Sequence, residues 1–220
     1  MTSHDVREIR RVRTKICGVR NVEDALAAVD AGTDAIGLVF HSGSSRSIDI
    51  ETAQRIMRAV PPLVCRVALF LDAEASDVAD IINRIRPDLL QFHGRETPGY
   101  CGQFGMNYVK TVPMGDRDVD IADWAERFDD AHALLLDANQ AGAAGGSGSC
   151  FDWDDVGHLP DIPLIVAGGL TPENVGESIK LLSPYAVDVS SGVEDANGNK
   201  SPQRMRSFVD AVLGSHTATS

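Results

Sequence analysis

Short apolar runs alternate with amphipathic stretches along most of the chain, and the alternation repeats eight times. Apolar runs of about four to eight residues bounded by turn residues suit strands buried on both faces. Such runs predict strands over residues 12–17, 34–40, 63–71 and 88–92 in the first half. Residues 107–112, 131–137, 163–167 and 186–189 predict four more. Between them, apolar residues return at the spacing of one helix face. Val22, Ala25, Leu26 and Val29 mark a helix over 21–31, stopped by Gly32. Ile50, Ala53, Ile56 and Met57 mark another over 49–60, ended by Pro61 and Pro62. Further helices are predicted over 74–85, 97–104, 119–128, around 152–156, and over 174–182 and 201–213. Thr171-Pro172-Glu173 and Ser201-Pro202 read as start signals for the last two.

Eight strands, each followed by a helix, predict a parallel sheet with right-handed crossovers. The α/β class follows, with closure into a single (β/α)8 TIM barrel. The barrel is assigned to residues 13–214, with tails at 1–12 and 215–220. An open doubly wound sheet would carry its glycine-rich turn after the first strand. Here the glycine-rich turns follow strands six, seven and eight. In a barrel those loops are neighbours at the C-terminal face, where phosphate is commonly held.

Composition narrows the function. The 220 residues are 43% hydrophobic and 24% charged, enough for one large core. No apolar run approaches the roughly 20 residues of a membrane span. Met1-Thr2-Ser3-His4-Asp5 lacks the order of a secretory signal, so a cytoplasmic protein is expected. The net charge of −12 and the lack of a basic stripe in the body exclude general nucleic-acid binding. An anionic ligand must then be held locally, by backbone N–H groups or single arginines. Arg7, Arg10, Arg11 and Arg13 read as a solvated tail or as a basic arm for a partner. Cys17, Cys65, Cys101 and Cys150 are widely spaced, and the histidines do not cluster. Neither a metal site nor a disulfide is expected.

The strand exits carry the candidate chemistry. Cys17 ends strand one, where it is either a small buried hydrophobe or a base whose thiolate a nearby cation favours. Asp137 ends strand six after three leucines. It reads as a structural carboxylate or as a general acid with a raised pKa. His93 closes strand four, to orient a ligand or to serve as a satisfied polar residue. Arg46 lies in the loop after strand two, solvated or paired in a bidentate fork with a carboxylate. Gly168 and Gly169 precede a helix start, and Ser190-Ser191-Gly192 makes a similar turn after strand eight. Together they suit a phosphate, against the alternative of two ordinary turns. The loop Ala141-Gly142-Ala143-Ala144-Gly145-Gly146-Ser147-Gly148 fits a flap that closes over a ligand better than a dinucleotide fingerprint.

Taken in order, these segments resemble one family. Lys15-Ile16-Cys17-Gly18, Gly37-Leu38-Val39-Phe40, Leu90-Gln91-Phe92-His93-Gly94 and Leu134-Leu135-Leu136-Asp137-Ala138 look like phosphoribosylanthranilate isomerase. So do Val166-Ala167-Gly168-Gly169-Leu170-Thr171-Pro172-Glu173 and Val187-Asp188-Val189-Ser190-Ser191-Gly192-Val193-Glu194. The resemblance implies a single barrel of tryptophan biosynthesis that performs an Amadori rearrangement of a phosphorylated small molecule. It implies no metal and no cofactor, and a monomer or homodimer. It makes Asp137 the acid and Cys17 the base, a task that asks for a raised Asp and a lowered Cys pKa. Gly168, Gly169, Ser191 and Gly192 would hold the phosphate, assisted by Gly146 and Ser147. Arg46 would meet the anthranilate end, and His93 would bind substrate.

Three other readings fit less well. Indole-glycerol-phosphate synthase would want catalytic lysines at strand ends, and a dual-substrate isomerase an aspartate in place of Cys17. A non-catalytic phosphate-ester sensor would have no use for both Cys17 and Asp137.

Overall fold

The computed structural model describes residues 11–116, 119–140, 142, 153 and 160–215. Eight parallel strands close into a barrel in the order of the chain, β1-β2-β3-β4-β5-β6-β7-β8. They are β1 (Arg13–Cys17), β2 (Ala35–Val39), β3 (Cys65–Phe70) and β4 (Leu89–Phe92), then β5 (Tyr108–Pro113), β6 (Ala133–Asp137), β7 (Leu164–Val166) and β8 (Ala186–Val189). The helices are α1 (Val22–Ala31), α2 (Ile50–Ala59), α3 (Ala75–Ile85) and α4 (Pro98–Gly102), then α5 (Ile121–Arg127), α6 (Val175–Leu182) and α7 (Pro202–Gly214). A 3-10 turn, Ser191–Val193, follows β8. Of the helix expected around 152–156 only Trp153, in a 3-10 conformation, is among the described residues, and Arg7 and Arg10 lie outside them.

Side-chain alternation along each strand makes two apolar layers. Ile16, Ile36, Phe70, Phe92, Leu134 and Val187 face outward and pack under the helices in the main core. Val109, Ala133, Leu135, Ile165, Ala167 and Ala186 fill the barrel interior. The seam closes where β1 pairs with β8, with Lys15 opposite Asp188 and Ile16 opposite Val189.

Local chemistry sets the ends of the elements. Asn21, Asp49, Thr97 and Ser201 each cap a helix by accepting a backbone N–H three residues on. Asp34, expected inside strand two, instead turns its carboxylate onto the Thr14 N–H at 2.9 Å and pairs with Arg11. Leu63, expected to open strand three, is 96% exposed in the turn after Pro61-Pro62. On α1 the buried face is Ala25, Ala28 and Ala31, and Leu26 points outward. Small residues let this helix approach its neighbours closely, and apolarity alone did not mark that face. Pro172 stands ahead of α6, whose cap position is Asn174, as a start signal before the helix. The arginine cluster is not wholly a solvated tail. Arg11 pairs with Asp34, and the Arg13 guanidinium sits 4.5 Å above the Tyr185 ring.

Candidate active site

The C-terminal mouth of the barrel opens into a solvent-accessible cleft, with about 690 Å³ of empty space when the open solvent at its entrance is included. Of the sequence-predicted residues, Cys17, Arg46, His93, Asp137, Gly168, Gly169 and Ser191 line it. Gly192 does not; it packs so closely behind the wall that a Cβ would stand 1.8 Å from the Leu170 carbonyl oxygen. Gly146 and Ser147 lie outside the described residues.

Cys17 sits at the last position of β1, buried but facing the cavity. Room for its sulfur comes from the neighbouring strand. A Cβ on Gly37 would stand 2.6 Å from Cys17 Sγ. The next residue, Gly18, has φ +74, and a Cβ there would lie 2.5 Å from Arg46 Cδ. The glycine after the cysteine therefore permits both the turn and the passage of the arginine stem.

Lys15 precedes Cys17 by two positions on the same face of β1. Its Nζ donates to Asp188 Oδ2 at 2.8 Å, and its charge acts on Cys17. Burial pulls the Lys15 pKa down, but the negative partners Asp188 and Cys17 outweigh it and hold the ammonium above the usual lysine range. Burial pushes the Asp188 carboxyl up against the pull of Lys15, with Asp137 adding to the push. With an ammonium at 2.8 Å, the ionised pair is the form that the geometry supports. Burial also pushes the Cys17 thiol above its usual range; Lys15 and Lys200 pull it down and Asp188 raises it. The thiol of the free site is therefore raised, contrary to the lowered value that the sequence resemblance asks for.

Asp137 closes β6 and is buried. Its Oδ1 accepts the Asn139 backbone N–H at 3.0 Å and also the Asn139 side-chain amide. Neither bond uses Oδ2. His93 Nδ1 is 3.1 Å from Thr111 Oγ1, so the ring is held in place while it lines the cavity. Burial lowers the His93 pKa, against the pull of Asp137, which favours the neutral imidazole.

Arg46 reaches across from the β2 loop to Glu194, after β8, with Nε to Oε1 at 2.7 Å and Nη2 to Oε2 at 2.8 Å. Lys200 completes the group. It donates to Glu194 Oε1 and to the Ser190 carbonyl, both at 2.9 Å. Ser190 Oγ in turn donates to the Cys17 carbonyl at 3.1 Å. Burial would raise Glu194, but the bonds from Arg46 and Lys200 hold it below its usual range. Burial lowers Lys200 despite Glu194. The glycine turn after β7 is braced by Asn174, whose Oδ1 accepts the Thr171 N–H at 2.7 Å and whose amide donates to the Gly169 carbonyl at 3.0 Å.

Sequence reasoning assigned no role to Lys15, Gln91, Asp188, Glu194 or Lys200. The first three carried a readable signal. Each is polar, sits in an apolar strand, and lies two residues before an exit residue already singled out: Cys17, His93 and Ser190. That period places them on the inward face.

Parallel barrels that gather ionisable side chains and glycine turns at the C-terminal mouth are enzymes of the (β/α)8 class. The family model described as N-(5'phosphoribosyl)anthranilate (PRA) isomerase matches residues 14–211, and the chain belongs to that family. An N-(5'-phosphoribosyl)anthranilate isomerase of Acidithiobacillus ferrooxidans is 49% identical over 205 residues, covering 92% of this chain and 98% of that relative. One of Neisseria meningitidis is 45% identical over 201 residues, covering 91% of this chain and 96% of the relative. The crystal structure of phosphoribosyl anthranilate isomerase from Thermotoga maritima matches with a TM-score of 0.80 at 36% identity, over 92% of this chain and 99% of that one. Another solved isomerase, in complex with reduced 1-(o-carboxyphenylamino)-1-deoxyribulose 5-phosphate, matches with a TM-score of 0.76 at 33% identity, over 92% and 99%.

Proposed function

We propose that Asp137 is the general acid and Cys17 the general base of this chain's reaction. The chain converts N-(5-phosphoribosyl)anthranilate to 1-(2-carboxyphenylamino)-1-deoxyribulose 5-phosphate, an Amadori rearrangement in tryptophan biosynthesis. Protonated Asp137 gives its proton to the furanose ring oxygen as the C1′–O bond breaks, and the nitrogen lone pair forms the C1′=N⁺ bond. The Cys17 thiolate then takes the C2′ proton. The C2′–H electron pair becomes the C1′=C2′ double bond, and the iminium π pair returns to nitrogen. The enolamine tautomerises to the ketone. The proton gained by Cys17 and the one lost by Asp137 balance over the cycle.

The observation that carries this reading is that Cys17 and Asp137, from β1 and β6, open onto one cavity. Around them we assign the phosphate to the turns at Gly168, Gly169, Ser191 and Gly192, with Gly146 and Ser147 assisting. Arg46 meets the anthranilate end and His93 orients the substrate. The phosphate ester is the partner of the site; a cytoplasmic location fits the pathway. The expected assembly is a monomer or homodimer, and one solved relative, from Thermotoga maritima, is described as dimeric. Among the described residues no helix is long and apolar enough to cross a membrane.

The test is loss of substrate fluorescence catalysed by wild type, Cys17→Ser and Asp137→Asn. Each variant is expected to lose about 100-fold or more in kcat. A folded variant that stays within a few-fold of wild type removes that residue from its role.

A further inference from the structure

Cys17 is a poor proton acceptor as burial leaves it, so something must make its thiolate available. Among the described residues four charged groups act on it: Lys15 from its own strand, Asp188 from β8, Lys200 from the segment after β8, and Arg46 from the β2 loop. Asp137 and His93 stand across the cavity and act on Asp188. Two of the three cations are committed elsewhere. Arg46 forks Glu194, and Lys200 is bonded to Ser190 and Glu194.

Lys15 differs. Its ammonium is bonded to Asp188 Oδ2 and lies on the same inward face of β1 as Cys17, two positions on, where its charge pulls on the thiol. Asp188 Oδ1 is buried and has no hydrogen-bond partner among the described residues. A buried ion pair with an unsatisfied oxygen is a poor stabiliser; apolar residues would serve a barrel interior as well or better. Among the described residues Cys17 is the one thiol that opens onto the cavity, and the pair sits directly beneath it.

We infer that Lys15 is a positioning residue for the reaction: anchored by Asp188, it presents its ammonium to Cys17 Sγ and sets how readily that thiol ionises. Asp188 opposes it, because the carboxylate both competes for the ammonium and repels a thiolate. This rests on Cys17 being the base, but its test does not depend on turnover.

The test is the pH dependence of iodoacetamide alkylation of Cys17, followed by mass spectrometry of its own peptide, so that the other cysteines do not interfere. In Lys15→Met the midpoint rises by about one pH unit or more, and alkylation at pH 7 slows about tenfold. In Asp188→Asn the midpoint falls. Opposite signs are the signature, since general loosening of the barrel would move both variants the same way. A midpoint in Lys15→Met at or below wild type, or shifts of one sign in both variants, overturns the inference. Should Lys15→Met not fold, Asp188→Asn decides: a fall supports the inference, and no change or a rise overturns it. Failure of the base assignment is read separately, as retained turnover in Cys17→Ser.

Discussion

Glu194 grips Arg46 with both carboxylate oxygens, at 2.7 and 2.8 Å, across the mouth of the barrel. The pair joins the loop after β2 to the loop after β8, and Lys200 binds the same carboxylate. The arginine is thus aimed before any ligand arrives, which lowers the entropy cost of using it. Glu194→Gln removes one of the two bonds from Arg46. We expect KM to rise about tenfold, the worth of one such bond, while kcat changes no more than about threefold. Steady-state kinetics decide it, and an unchanged KM would remove Glu194 from substrate binding.

Gly37 is space reserved for Cys17. Gly37→Ala puts a methyl group 2.6 Å from the sulfur, against strand backbone that has little room to move. Overpacking of this kind costs about 1–3 kcal/mol. The urea midpoint should fall accordingly, and kcat should fall more than KM rises, because the sulfur is displaced. Normal kcat with normal stability would show that the thiol has room that the geometry denies.

Lys110 is fully buried on the outer face of β5. It donates to Glu96 Oε2 at 2.8 Å and to the Gly94 carbonyl at 2.6 Å. Glu96 also accepts the Asp72 N–H. Lys110→Met strands that carboxylate and should cost about 3–5 kcal/mol. Lys110→Met with Glu96→Gln should recover part of the loss. Denaturant titration measures both; equal midpoints for single and double variants would mean that the ion pair is not the source.

Asp88 lies at the opposite end of the barrel. Its pKa is depressed chiefly by hydrogen bonds from the Arg66 side chain, with burial opposing. A depressed carboxylate stabilises the fold above its ordinary value of 3.8, and that contribution fades as pH falls through the folded value. The group is largely exposed, so solvent screening limits it to about 1 kcal/mol or less. Asp88→Asn should therefore be slightly less stable than wild type at pH 7, and the gap should close below about pH 4. Turnover should be unchanged. A gap that widens in acid would reverse the sign of the argument.

Strands and most helices could be read from local pattern because each signal is contained in about ten residues. An apolar run, a capping Asn21 or Asp49 and a stopping Gly32 act on their own neighbours. Cys17 and Asp137 could be placed at strand ends for the same reason. Leu26 was misread because burial on α1 follows how closely Ala25 and Ala28 let the helices approach, which no single helix encodes. The thiol's environment was beyond local reading for a different reason. Lys15 and Asp188 are 173 positions apart, as are Cys17 and Ser190, and only closure of the ring brings them together. Glu194, as partner of the Arg46 fork, is 148 positions away.

That seam has a consequence for how the enzyme comes into being. Asp188 and Lys200, which flank Cys17, are delivered by the last strand and the segment after it, so a chain stopped before β8 contains the thiol but neither of them. Long-range pairing of this kind forms late relative to local helices. During refolding, helical signal should therefore return before turnover, and turnover should mark the moment the circle is complete.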